Sequence, residues 1–177
     1  MQLVAESLSR EEQLAFNRLR WAEICDDPDF ANLPGKIESN GLGQVLFMPL
    51  ASGNHSFRTR AIQRALEDSI GGIALPECPI STIDGVRAAD VGWYSDHRFS
   101  KVNGQIAFEI APEICVEILS PRNTRLEMNV KKRLYFDAGA QEVWICDLAG
   151  NLTFYRADTP EDASETSGLC PDFPKTV

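Results

Sequence analysis

The spacing of apolar positions changes several times along the chain, and each change marks an expected element. Leu14, Phe16, Leu19, Trp21 and Ile24 recur at helical intervals behind Ser9, with Glu12 three residues later in the capping-box position. A helix is therefore predicted over residues 10–25. KIESNGLGQVLFMPL, residues 36–50, has apolar arms on either side of Asn and Gly and reads as a hairpin. GNHSFRTRAIQRALEDSIGG, residues 53–72, is a helix closed by paired glycines. CPISTIDGVRAADVGWYS, residues 78–95, is a second hairpin about Asp84-Gly85.

APEICVEILS, residues 111–120, is nearly continuous in its apolar residues and reads as a buried strand. PRNTRLEMNVKKRLYFDAGA, residues 121–140, follows as a helix with Leu126, Val130 and Leu134 as its apolar stripe and Gly139 closing it. EVWICDLAGNLTFYRA, residues 142–157, gives two strands about the turn Ala149-Gly150-Asn151. The polar sequence after residue 157 reads as a loose tail. Strands and helices in this order indicate an α/β domain around a central mixed β-sheet flanked by helices.

Composition narrows the class. A chain of 177 residues with 44 % apolar content suits one domain with short extensions. No apolar run approaches the roughly 20 residues that a membrane span needs, so no membrane partner is expected. MQLVAESLSREEQLAF lacks the basic-then-apolar order of a secretory signal, which makes a cytoplasmic location the expectation. The five cysteines include no C-x-x-C pair and have only His55 and His97 to supplement them, a pattern of reduced core thiols and not of a zinc site.

The net charge of −9 opposes nonspecific coating of nucleic acid. The acid is concentrated in EICDDPD and DTPEDASE, however, whereas residues 122–133 carry five basic residues against one acid. Arg122, Arg125, Lys132 and Arg133 are therefore expected to carry any affinity for DNA.

Glu117 interrupts the apolar strand CVEIL, and Asp90 stands between apolar neighbours in the preceding hairpin. A buried, unpaired carboxylate costs several kcal/mol. On neighbouring strands the two acids can face the same way about 5 Å apart, where a divalent cation between them makes both burials favourable. Mg²⁺ takes one or two carboxylates and leaves its other positions to water and phosphate oxygens, which suits phosphodiester chemistry. Lys131, on the following helix beside its apolar face, supplies a cation to orient water or offset transition-state charge. Competing accounts are a Glu117 pair with Arg122 or Arg125, and a solvated Glu127–Lys131 helix pair. His55 reads as a capping or packing residue in the first turn of a helix ahead of a base, and Asp147 as a turn acid at a strand end ahead of a support for the site.

The stretches AADVGWYSDHRF, APEICVEILSPRN and KKRLYFDAGAQEVWICD, in this order, resemble the Uma family of restriction endonuclease domains, within the PD-(D/E)XK nuclease superfamily. IESNGLGQVLFMPLASGNH is similar to that family's N-terminal hairpin, so the resemblance covers residues 36–157. It implies a restriction-endonuclease-like fold and a Mg²⁺-dependent endonuclease, with Mn²⁺ as a substitute metal. Asp90 matches the acid of the PD motif, with Ala89 where proline is usual, and Glu117 matches the (D/E) position.

Lys131 matches a lysine displaced from the strand to the helix. The resemblance further implies metal ligation by Asp90, Glu117 and the Ile118 carbonyl, a contribution from Glu38, a DNA substrate and a homodimer. Residues 1–35 then form a helical extension and 158–177 an acidic tail. The rival class is a catalytically inactive nuclease-fold module for nucleic-acid or protein interaction, which the acidic charge favours. A metal-free acid/base hydrolase needs one strongly raised carboxyl pKa.

Overall fold

The structure is a computed structural model that describes residues 8–177. Residues 1–7, which begin both the N-terminal extension and the stretch judged to lack a secretory signal, lie outside the described residues. Among the described residues are five helices, α1 (Arg10–Asp26), α2 (Pro28–Ala31), α3 (Gly53–Ile70), α4 (Asp96–Val102) and α5 (Arg125–Asp137). Eight strands accompany them: β1 (Gly35–Ser39), β2 (Val45–Pro49), β3 (Ile73–Thr82), β4 (Gly85–Tyr94), β5 (Ile114–Ile118), β6 (Glu142–Cys146), β7 (Leu152–Arg156) and β8 (Thr159–Ser164). Strands β3 to β8 form one six-stranded sheet in sequence order, with β5 and β6 parallel and the other neighbours antiparallel. β1 and β2 form a separate hairpin. Among the described residues, no helix is long and apolar enough to cross a membrane.

Local chemistry sets the helix ends. Ser9 and Glu12 form the expected capping box of α1, and Thr124 with Glu127 forms another at α5. Ser52 caps α3, which ends at Gly71 with φ +66°.

The sheet buries both faces. Ile62 and Leu66 of α3 pack with Val91, Trp93, Ile114, Val116 and Trp144 on one side. Tyr135 of α5 packs with Cys78, Tyr94, Cys115 and Val143 on the other. Alternation along β5 thus sends Ile114, Val116 and Ile118 to the α3 side, and Cys115 and Glu117 to the α5 side.

Three expectations differ from the fold. The stripe predicted for α5 is only partly its buried face: Leu134 is buried, but Leu126 is 75 % and Val130 42 % exposed, and the helix also buries Met128, Lys131, Lys132 and Tyr135. Burying Lys131 and Lys132 lets them reach partners under the helix, which two apolar side chains at its rim cannot replace. On α1, Trp21 and Ile24 are buried but Leu19 is exposed.

Residues 158–177, expected as a loose tail, contain β8 on the edge of the sheet and bury Ser167, Cys170 and Phe173. Glu142 holds that segment through Ser167 Oγ at 2.6 Å and the amides of Gly168 and Leu169 at 2.6 and 3.0 Å. Helix α4 was not expected from the sequence. Ser95 caps it, and the carboxylate of Glu113 accepts from Ser95 Oγ at 2.6 Å.

The β1–β2 hairpin docks on β4 through side chains. Ser39 Oγ accepts from Val86 N–H at 3.0 Å and Glu38 Oε1 from Ala88 N–H at 3.1 Å. Gly85, at φ +82°, permits this approach, because a Cβ there would stand 2.2 Å from the Ser39 carbonyl oxygen.

Candidate active site

The β4–β5 ladder runs through Trp93–Ile114, Gly92–Cys115 and Val91–Val116, and then stops. The next residue on each strand is one of the two acids, Asp90 and Glu117. β5 continues its pairing with β6 as far as Ile118–Cys146, so β4 and β5 part at the acids. In place of another ladder bond, the Ile118 N–H donates to Asp90 Oδ2 at 2.7 Å. The divergence exposes strand-end backbone to a side chain, and a carboxylate satisfies it.

Asp90 and Glu117 are 6 and 4 % exposed, and each has its own lysine. Lys131 Nζ is 3.2 Å from Glu117 Oε2 and 2.9 Å from Glu38 Oε1. Tyr135, one turn along α5, donates its hydroxyl to Glu117 Oε1 at 2.5 Å. Lys36 Nζ is 2.9 Å from Asp90 Oδ1, and His55 Nε2 is 3.1 Å from Asp90 Oδ2. Arg87 reaches Glu38 Oε2 at 3.3 Å. The repulsion expected between two unpaired acids is thus offset by two ammonium groups.

These surroundings drive the carboxylates apart in acidity. Burial pushes the Glu117 carboxyl up; Lys131 opposes this and Asp90 adds to it. Burial also acts to raise Asp90, but Lys36, His55 and the Ile118 N–H outweigh it and hold the group well below the usual carboxylate range. Glu38 is lowered because Lys131 and Lys36 outweigh its burial. Lys131 is raised, since Glu117 and Glu38 more than compensate for its desolvation, so it remains an ammonium at neutral pH.

Asp90, Glu117, Lys131 and Glu38, all singled out in the sequence, therefore meet in one place, together with the Ile118 backbone. Glu117 pairs with neither Arg122 nor Arg125, and Glu127 serves the α5 capping box in place of a solvated pair with Lys131. Asp147 is a turn acid, accepting from Ala149 and Asn151 N–H at 2.8 Å.

Arg122 and Arg125 are exposed. Lys132 is buried, 4.2 Å from the centre of the Tyr155 ring and 3.4 Å from Glu161, and Arg133 is exposed but also pairs with Glu161 at 3.3 Å. Lys36 and His55 were missed as site residues. The charged pair Lys36 and Glu38, two apart on one strand and so facing the same way, was the available signal.

Among the described residues, no group of three His, Cys, Asp or Glu side chains is arranged to hold a metal ion. The donor chemistry still fits a hard divalent cation. Two carboxylates on diverging strands match what Mg²⁺ takes from a protein when water and phosphate complete its shell.

A mixed sheet that parts at two buried acids, with a helix lysine beside them, defines a nuclease-like domain of the restriction-endonuclease class. A sequence model of the Uma2 family, described as "Putative restriction endonuclease", matches residues 27–173, and the chain belongs to that family. A solved structure described as "a putative nuclease belonging to DUF820", from Anabaena variabilis ATCC 29413, is similar in fold. It is 19 % identical, with a TM-score of 0.64 over 83 % of this chain and 92 % of that one. No curated protein matches the chain.

Proposed function

We propose that the protein is a Mg²⁺-dependent endonuclease that hydrolyses phosphodiester bonds of DNA, with Mn²⁺ able to replace Mg²⁺. The observation that carries this reading is the end of the β4–β5 ladder at Val91–Val116, which leaves Asp90 and Glu117 side by side next to Lys131. Asp90, Glu117 and the Ile118 carbonyl would hold the cation. When bound, the cation supplies Lewis-acid polarisation of the phosphoryl group and a more acidic water.

The chain's own groups have separable tasks. Asp90, held ionised by Lys36 and His55, offers a full negative charge. Burial and the neighbouring Asp90 charge both disfavour the ionised Glu117, and a bound cation would counter them. Lys131 stays protonated, so it is an electrostatic and hydrogen-bonding group for water or phosphate oxygen and not a general base. Glu38 and Glu117 aim its ammonium from two sides, which makes Glu38 a positioning residue for Lys131 ahead of a ligand. Arg122 and Arg125, exposed beside the strand end, would contact phosphates, and a homodimer would present two sites to two strands.

Nicking of supercoiled DNA with Mg²⁺ or Mn²⁺ by wild type, Asp90→Asn and Glu117→Gln tests the assignment. Activity in wild type that both variants lose is expected. Equal nicking by wild type and Glu117→Gln would assign the activity to a contaminant.

A further inference from the structure

Lys36 is the least expected member of the site. It comes from β1, outside the six-stranded sheet, and its side chain is 12 % exposed. Its ammonium is 2.9 Å from Asp90 Oδ1 and 4.0 Å from Glu38 Oε1. Both Asp90 oxygens are engaged, Oδ1 by Lys36 and Oδ2 by the Ile118 N–H and His55. A cation binding Asp90 through Oδ1 meets Lys36 first, whereas His55 and Ile118 contact only the other oxygen.

The hairpin that carries Lys36 docks on β4 mainly through Glu38 and Ser39, so Lys36 can leave Asp90 without undocking β1. Lys131 differs: Glu38 and Glu117 share it, and it remains paired with Glu38 when Glu117 takes another partner.

We propose that Lys36 is a resident counter-ion of Asp90 that a divalent cation must displace, so that it sets the metal affinity of the site without being part of the ligand set. This rests on the metal-dependent reading above. In the metal-free protein the ammonium neutralises Asp90 and keeps the carboxylate buried and ordered. On metal binding, one positive charge leaves Asp90 as two arrive.

Calorimetric titration of wild type and Lys36→Met with Mn²⁺ reads this directly, without substrate. Lys36→Met should bind Mn²⁺ about tenfold more tightly or better, because no ammonium competes for the carboxylate. Its melting temperature without metal should fall below that of wild type, and Mn²⁺ should recover more of it than in wild type. Should Lys36→Met fail to fold, amine acylation of wild type followed by mass spectrometry gives an independent reading. Lys36 should be protected without metal and modified in the Mn²⁺-saturated protein.

Saturable binding in wild type with equal or weaker binding in Lys36→Met would overturn the counter-ion role and leave the metal site standing. Unchanged Lys36 reactivity in Mn²⁺-saturated wild type would do the same. Binding in neither protein would overturn this inference together with the metal-dependent reading.

Discussion

Lys131 Nζ lies 3.2 Å from Glu117 Oε2 with both side chains buried, and the same ammonium is shared with Glu38. Removing one partner of such a buried pair is costly because the other charge is left without compensation. Lys131→Met should therefore destabilise the metal-free protein by about 3–5 kcal/mol. At roughly 2–4 °C per kcal/mol for a domain of this size, the melting temperature falls by about 6–20 °C. Turnover should be lost while Mn²⁺ binding, measured by calorimetry, persists, since Asp90 and Glu117 remain. An unchanged melting temperature would remove Lys131 from its role as the shared counter-ion.

Tyr135 supplies the neutral donor to Glu117, at 2.5 Å in a fully buried setting. Tyr135→Phe keeps the ring packing and deletes only the hydroxyl, leaving Glu117 Oε1 with the longer Lys131 contact at 3.3 Å. A hydrogen bond to a charged group contributes about 1.5–3 kcal/mol, which a thermal melt reads as a drop of roughly 3–12 °C. A melting temperature equal to that of wild type would mean that the Glu117 carboxylate does not depend on this donor.

The parts of the site legible in the sequence are those whose local surroundings conflict with their chemistry. Asp90 and Glu117 are acids inside apolar strands. Glu142 has the same local look, in QEVWIC, yet it accepts from Trp144 Nε1 at 2.7 Å and holds the C-terminal segment. A buried strand acid is thus not a site by itself, and the neighbouring strand decides.

Lys36 and His55 were harder to read because their partner Asp90 is 54 and 35 residues away: only Glu38, on the same strand, marked Lys36, and nothing near His55 pointed to the carboxylate. The order of the main elements followed from periodicity. β8 did not, because TPEDAS has no large apolar residue and pairs by its backbone at an exposed sheet edge. The α5 stripe misled for the opposite reason: apolar spacing named Leu126 and Val130, but the burial of Lys131 and Lys132 sets the helix rotation.

The basic stretch divides into charges with no ion pair among the described residues and committed ones, and salt dependence separates them. Each phosphate contact adds about 0.9 to the log-log salt slope of duplex binding. If Arg122 and Arg125 each make one, the double change to Gln should lower the slope by about 1.8. Lys132→Gln should leave the slope nearly unaltered and lower the melting temperature, because Lys132 is buried against Tyr155 and Glu161. The reverse pattern in fluorescence-anisotropy titrations would place DNA on the Lys132 side of α5.

The His55–Asp90 contact makes a prediction in pH. The hydrogen bond to Asp90 raises the His55 pKa above its ordinary value; partial burial opposes the rise and the charge of Asp90 adds to it. A group whose pKa is higher in the folded protein than in the unfolded chain stabilises the fold fully below the unfolded value. That contribution disappears as pH climbs through the folded value. Asp90 is lowered, so its own contribution is present throughout the neutral range and is lost only in strong acid. Between about pH 5.5 and pH 9, the contribution of the His55–Asp90 contact should therefore vary through the histidine alone. The melting temperature of wild type should exceed that of His55→Gln most at the acid end of this range, with the gap narrowing toward the alkaline end. Repeating the comparison in Asp90→Asn isolates the contact: without the carboxylate, the gap between the proteins with and without the His55→Gln change should lose most of its pH dependence. A gap that is constant with pH in the Asp90 protein, or equally steep in both, would show that His55 acts as a helix-end residue and not as a partner of the carboxylate.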